Sequence, residues 1–205
     1  MAQHRRGWRG GCGAALLWIA AVALPASADH ITPGELLQRL APDDATFASR
    51  YVETRESGLL TEAVRTEGEL HYTSPRTLEK TERRDGDERT VFIEDDTVRI
   101  ESAEETRRFP VSRSAELAAL VELMEAVATG DAGRLEERFR VAIEGTEAEW
   151  RLRLQARQGE GSGRGSDGRQ PLRLEVAGAE DAVERIRVDS AASGRLTLEL
   201  TGAVD

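Results

Sequence analysis

From residue 64 onward, apolar and polar side chains alternate along most of the chain. That period of two is the signature of strands with one dry and one wet face. Val64, Thr66, Gly68, Leu70 and Tyr72 fall on one side, Arg65, Glu67, Glu69, His71 and Thr73 on the other. Residues 77–84 predict a more polar strand, and Asp85-Gly86-Asp87 a hairpin turn. Thr90-Val91-Phe92-Ile93 and Thr97-Val98-Arg99-Ile100 predict a tight hairpin around Asp95-Asp96, and residues 106–111 a further short strand. The alternation resumes at Phe139, Val141 and Ile143, then at Trp150, Leu152, Leu154 and Ala156. It continues through Leu172, Leu174 and Val176, Ile186 and Val188, and Leu196, Leu198 and Leu200.

Helical spacing marks four other segments, two ahead of this pattern and two within it. Thr32-Pro33-Gly34-Glu35 combines a capping threonine, a proline at the first helical position and a capping-box glutamate, ahead of Leu36, Leu37 and Leu40. Residues 44–51 predict a second short helix with Phe47 and Tyr51 on one side. One long helix follows Ser114, with Leu117, Leu120, Val121, Met124, Val127 and Ala128 in a broad apolar stripe and Gly130 closing its end. A short helical turn is expected at 131–137.

The order is then an N-terminal helix, about five antiparallel strands, a long amphipathic helix and about five more strands. This predicts an α+β fold: one curved antiparallel sheet, wet on its convex face and apolar on its concave face, with only the helices available to cover the concave side. Such a half-open sheet encloses apolar volume suited to a hydrophobic ligand. The glycine-rich stretch 158–170 reads as a loop too short to separate two cores, so residues 29–205 are expected to form a single domain.

The first 28 residues have a different composition. Arg5, Arg6 and Arg9 precede an uncharged run, AALLWIAAVAL, and Ala26-Ser27-Ala28 follows. Basic, apolar and then small is the order of a cleaved secretory signal, which places the mature chain from Asp29 in the periplasm. The apolar run is well short of the roughly 20 residues that span a bilayer, and the residues around Arg5-Arg6 fit a twin-arginine signal poorly. Cys12, the only cysteine, precedes the run and would leave with it, so no disulfide, thiol nucleophile or thiolate metal site is expected.

Charge narrows the partners. The chain has 28 basic and 38 acidic residues, a net −10, and loss of the three leader arginines makes the remainder more acidic still. Nucleic acid and anionic headgroups are poor partners for such a chain, and the acidity also keeps an exported protein soluble. Gly163-Arg164-Gly165-Ser166-Asp167-Gly168 matches a dinucleotide glycine pattern, but Pro171 and a strand follow where a helix N-terminus is needed. Asp85-Gly86-Asp87-Glu88 lacks the remaining ligands of a calcium loop and reads as a solvated turn. His30 lies near the expected mature terminus and His71 on a wet strand face, which leaves a triad or zinc site hard to build. Glu104-Glu105 and Glu136-Glu137 read as solvated charge. No cofactor, metal or catalytic group is expected, and the chain is not expected to be an enzyme.

The leading helix, Phe47 and Tyr51, the run Glu67-Gly68-Glu69-Leu70-His71-Tyr72-Thr73-Ser74-Pro75-Arg76 and the Asp95-Asp96 hairpin together resemble the periplasmic outer-membrane lipoprotein carrier family, LolA. Thr129-Gly130-Asp131, Leu135, Phe139 and Trp150-Arg151-Leu152-Arg153-Leu154 extend the resemblance over most of 35–200. It implies an incomplete barrel with a helical lid that binds acyl chains without a cofactor. The implied function is a carrier, monomeric, taking a lipid or acylated lipoprotein from an inner-membrane donor to an outer-membrane acceptor. A divergent member could instead be a binding subunit that docks a protein partner of an envelope or lipid-biosynthesis machinery.

The residues expected to line the cargo site are Val64, Leu70, Tyr72, Leu78, Val91, Ile93, Val98, Ile100 and Phe109 on strands, and Leu117, Leu120, Val121, Met124 and Val127 on the long helix. Trp150, Leu152 and Leu154 complete the set. The helix stripe and Trp150 each fit core as well as cavity wall. Family-type contacts from an arginine to the lid have three candidates, Arg65, Arg76 and Arg83. Aromatics are few, and Leu78-Glu79-Lys80 stands where the family's pattern tends toward an aromatic.

Overall fold

The computed structural model describes residues 31–58, 61–157 and 172–204. The expected export segment, His30, and the glycine-rich stretch with its dinucleotide-like pattern lie outside the described residues.

Helix α1, Pro33–Leu40, starts as its sequence requires. The backbone N–H of Glu35 donates to Thr32 Oγ1 (3.2 Å) and that of Thr32 donates to Glu35 Oε2 (2.8 Å), closing a capping box. Leu36 and Leu37 are fully buried beneath it. The strands that follow are β1 Thr46–Glu56, β2 Val64–Thr73, β3 Thr77–Arg84, β4 Asp87–Glu94, β5 Thr97–Ser102 and β6 Thr106–Pro110. A 3₁₀ turn, Val111–Arg113, leads into α2 Ala115–Thr129 and α3 Ala132–Arg138. Then come β7 Phe139–Thr146, β8 Glu149–Ala156, β9 Arg173–Ala179, β10 Ala182–Ser190 and β11 Gly194–Gly202.

The helix expected at 44–51 is instead the start of β1, so six strands rather than five precede the long helix. Phe47 and Tyr51 stand four residues apart, a spacing that puts side chains on one face of either a helix or a strand. Pairing decided between them: β1 is hydrogen-bonded to β2 on one side and to β11 on the other. The β3–β4 turn is the expected tight hairpin, with Asp85 (φ 52°) and Gly86 (φ 93°) both left-handed.

The eleven strands of the described residues form one antiparallel sheet in the order β6-β5-β4-β3-β2-β1-β11-β10-β9-β8-β7. The strands at its two edges, β6 and β7, are consecutive in the chain. The connection between them must therefore cross the whole sheet, and α2 and α3 lie in that connection. The sheet is curved and not closed, with the helices on its concave side, the α+β incomplete barrel that the alternation predicts.

Candidate functional site

The register carries one continuous inner face across the sheet. One row runs Phe47, Tyr72, Leu78, Ile93, Val98 and Phe109 through β1 to β6. On the other side, Leu198, Ile186, Val176 and Leu152 align through β11, β10, β9 and β8. His71 sits on the opposite, exposed face, as its place in the alternation implies.

Nearly all the residues expected to line the site meet there. Leu70, Tyr72, Leu78, Val91, Ile93, Val98, Leu120, Val121, Met124, Trp150, Leu152 and Leu154 are buried in one cluster, and Ile100, Phe109, Leu117 and Val127 pack partly buried against it. Val64 is not brought into the cluster: it lies at the far rim of β2, opposite Arg55. Leu174, Val176, Ile186, Val188 and Leu198 belong to the same wall and were missing from the expected set, although their alternation marks them as plainly as that of Leu152 and Leu154.

The long helix differs from the amphipathic cover that its sequence suggests. Every residue from Ala119 to Ala126 is buried, Glu122 and Glu125 included. A helix buried on all sides has neighbours on all sides: the sheet lies beneath α2, and α1 and α3 pack against it from above. It fills the half-barrel like a bolt. Two surface clefts among the described residues lie elsewhere, on strands β7–β10 and at the β10–β11 turn.

Polar groups hold α2 at opposite rims of the sheet. At its start, Glu116 accepts hydrogen bonds from Ser190 Oγ (2.5 Å) and Ser193 Oγ (2.8 Å) of the β10–β11 turn. Toward its end, Glu125 accepts from the Tyr72 hydroxyl (2.6 Å), Ser74 Oγ (3.1 Å) and the backbone N–H of Arg76 (3.3 Å). Glu122 takes Arg76, together with Arg134 (3.1 Å) and Arg138 (3.3 Å). Of the three arginines that the sequence left open, Arg76 is the one that holds the helix. Burial alone would raise the pKa of Glu125. The hydrogen bonds from Tyr72, the Arg76 backbone and Ser74 outweigh it and hold the carboxyl below the usual range. For Glu116 burial is likewise outweighed, here by the three serine hydroxyls, and the net direction is also down. Burial and hydrogen bonding to Glu125 push the Tyr72 phenol up, so it stays a donor.

An ionic network in the wall itself was not foreseen. Lys80 contacts Glu53 and Glu82 (2.7 Å to the latter) and stacks 4.9 Å from the centre of the Tyr51 ring. Arg55 reaches Glu53 (3.0 Å) and Arg89 reaches Glu82 (2.7 Å). Both glutamates are buried. Gly68 makes room for this arrangement, since a Cβ there would stand 1.7 Å from the Thr81 carbonyl and 3.1 Å from the Tyr51 hydroxyl. The signal was present: Leu78, Lys80 and Glu82 alternate onto one face, so two charges had to point inward once Leu78 did.

Among the described residues no group of histidine, cysteine and carboxylate side chains could hold a metal ion, and no helix is long and apolar enough to cross a membrane. Residues 25–184 match the family model for outer membrane lipoprotein carrier protein LolA-like proteins. The chain belongs to the LolA-like family. Similar solved structures include the LolA superfamily protein NE2245 of Nitrosomonas europaea, at 8% identity over 86% of this chain and 95% of that one, with a TM-score of 0.44. Lipoprotein LppX of Mycobacterium tuberculosis is 11% identical over 81% and 93%, with a TM-score of 0.39. A putative outer membrane lipoprotein-sorting protein domain of Vibrio parahaemolyticus is 8% identical over 83% and 89%, with a TM-score of 0.40. No curated protein matches the chain.

Proposed function

We propose that this LolA-like protein is a periplasmic, non-catalytic carrier. It takes a hydrophobic cargo, the acyl chains of a lipoprotein or another lipid-like molecule, between the concave wall and α2, and hands it toward the outer membrane. In this reading residues 1–28 are removed on export, residues 29–205 act as one monomeric domain, and an inner-membrane donor loads the cargo that an outer-membrane acceptor receives. No cofactor takes part.

The observation that carries the reading is how α2 is held. Its apolar side chains rest on the apolar part of the wall, while its specific attachments are polar contacts near the two rims: Glu116 to Ser190 and Ser193, Glu122 and Glu125 to Tyr72, Ser74 and Arg76. Water can replace those contacts when the helix shifts. An acyl chain can replace the helix's apolar contacts, each buried methylene contributing about 0.8 kcal/mol. The exchange is then close to balanced, which suits a carrier that must also release.

Native mass spectrometry of the protein recovered from its own periplasm is expected to show bound lipid-sized mass. A fluorescent fatty-acid probe is expected to bind more readily to Glu122→Gln/Glu125→Gln, whose helix is less firmly held. Protein that is always empty, and a variant that binds the probe no better than the parent, would overturn the proposal.

A further inference from the structure

The outer face of strands β7–β10 runs against the charge of the chain. Arg140, Arg151, Arg153, Arg173, Arg185 and Arg187 project there, against Glu144, Glu149, Glu175 and Asp189, on a chain whose net charge is −10. A cleft of ≈ 430 Å³ opens in this surface, lined by Arg140, Arg153, Arg173 and Arg187 together with Glu175 and Asp189.

The carboxylates of the cleft are already engaged. Asp189 pairs with Arg195 at 2.7 Å, and Glu175 with Arg151 (3.5 Å) and Arg153 (3.3 Å). Arg140, Arg173 and Arg187 have no carboxylate partner among the described residues. Arg140 and Arg173 are exposed, whereas Arg187 is half-buried, and its Nε has neither a hydrogen-bond partner nor contact with solvent. Register brings the three together: Arg140 and Arg173 flank Gln155 in one cross-strand row, and Arg187 lies diagonally from Arg173 on the next strand, a separation of roughly 7–8 Å. Across the strands Asp189 stands opposite Arg173 and Glu175 opposite Arg187, but each carboxylate already pairs with another arginine, so the lining sets four guanidinium groups against two carboxylates and keeps donors to spare. Planar forks of that kind match the oxygens of a phosphate.

We infer that this cleft is an anion site for a phosphate-bearing ligand, built on the face of the sheet opposite the helices and independent of the cargo reading. The acidity of the whole chain argues against anionic surfaces only while its charges are taken as evenly spread. Here they are segregated, and over a Debye length of about 8 Å the local excess governs.

Two probes distinguish the source of the phosphate: inorganic phosphate followed by amide chemical shifts, and co-sedimentation with phosphatidylglycerol/phosphatidylcholine vesicles against vesicles of phosphatidylcholine alone. The parent and a control, Arg65→Gln/Arg108→Gln/Arg113→Gln, are expected to bind at least one probe, more weakly as salt rises. Arg140→Gln/Arg173→Gln/Arg187→Gln is expected to bind at least tenfold more weakly, although it carries the same change in net charge. The exposed pair Arg140→Gln/Arg173→Gln, which disturbs nothing buried, is expected to lose at least threefold. Binding of phosphate alone assigns a soluble ligand, and binding of phosphatidylglycerol vesicles a lipid headgroup. The inference is overturned if neither probe binds, if both cleft variants bind as the parent does, or if the control loses as much as the triple cleft variant.

Discussion

The two halves of the concave wall are built differently. The half formed by β8–β11 is apolar from strand to strand: Trp150, Leu152, Leu154, Leu174, Val176, Ile186, Val188 and Leu198 are all buried there. The half formed by β1–β4 mixes Tyr51, Leu70, Leu78 and Val91 with Glu53, Lys80, Glu82 and the hydroxyl of Tyr72. An apolar wall is non-directional and accepts whatever apolar surface meets it. Buried charges accept only partners in the right place, and leaving one unmet is costly. The first half therefore supplies adhesion, while the second specifies where α2 and its own strands sit.

The largest effect is expected in the apolar half. Trp150→Ala removes a ring that fills the space over Gly178 and whose Nε1 donates to the Glu180 carbonyl (3.1 Å). Urea unfolding should show a loss of about 4 kcal/mol. Next is the ionic half. Lys80→Met leaves the buried Glu53 and Glu82 with only the half-exposed Arg55 and Arg89 as partners and should cost about 3 kcal/mol by the same measurement. Replacing the three together, Glu53→Leu/Lys80→Met/Glu82→Leu, should recover most of that loss, because an apolar set removes the desolvation penalty along with the attraction. If the triple variant is as unstable as the single one, the distinction between the halves fails.

A smaller effect tests the hold on α2. Glu125→Gln weakens three hydrogen bonds to a charged acceptor and should cost about 2 kcal/mol at neutral pH. Glu82, Glu116 and Glu125 all titrate below their ordinary value of 4.5 in the folded protein. For Glu82 burial acts upward, but Lys80 and Arg89 outweigh it. Between the lowered folded value and the ordinary one, the unfolded chain binds more protons. Stability from these groups is thus fully present above about pH 4.5 and is lost as pH falls through the folded values. Urea midpoints from pH 7 to 3 should fall for the parent, and less steeply for Glu125→Gln. The smallest effect belongs to the exposed face of β3 and β4: Glu88→Gln, which breaks an exposed pair with Arg83 (3.0 Å), should change stability by less than about 0.5 kcal/mol.

Much of the concave wall was legible because a strand's faces are written at a spacing of two. Leu70, Tyr72, Ile93, Val98, Leu152 and Leu154 needed no partner to be assigned to one side. The failures came where one pattern admits two answers. Phe47 and Tyr51 satisfy both periods, and β1 became a strand because β2 and β11 supply its hydrogen bonds from either side. The α2 stripe showed which residues are apolar, but nothing in its own spacing reveals that α1 and α3 cover its remaining side. Nor could spacing choose among Arg65, Arg76 and Arg83, since only the packed helix brings Glu122 to one of them.

What the sequence by itself determined is local: the alternation of most strands, the caps at Thr32, Ser114 and Gly130, and the tight turn at Asp85-Gly86. These depend on residues within a few positions of one another, where steric and hydrogen-bonding preferences act without the rest of the chain. The tertiary structure alone decided that consecutive strands β6 and β7 stand at opposite edges, that α2 is enclosed rather than laid on top, and that a net-negative chain gathers unpaired arginines on one face. Each of those depends on groups tens of residues apart, and a spacing rule holds no information about which distant surface arrives to complete it.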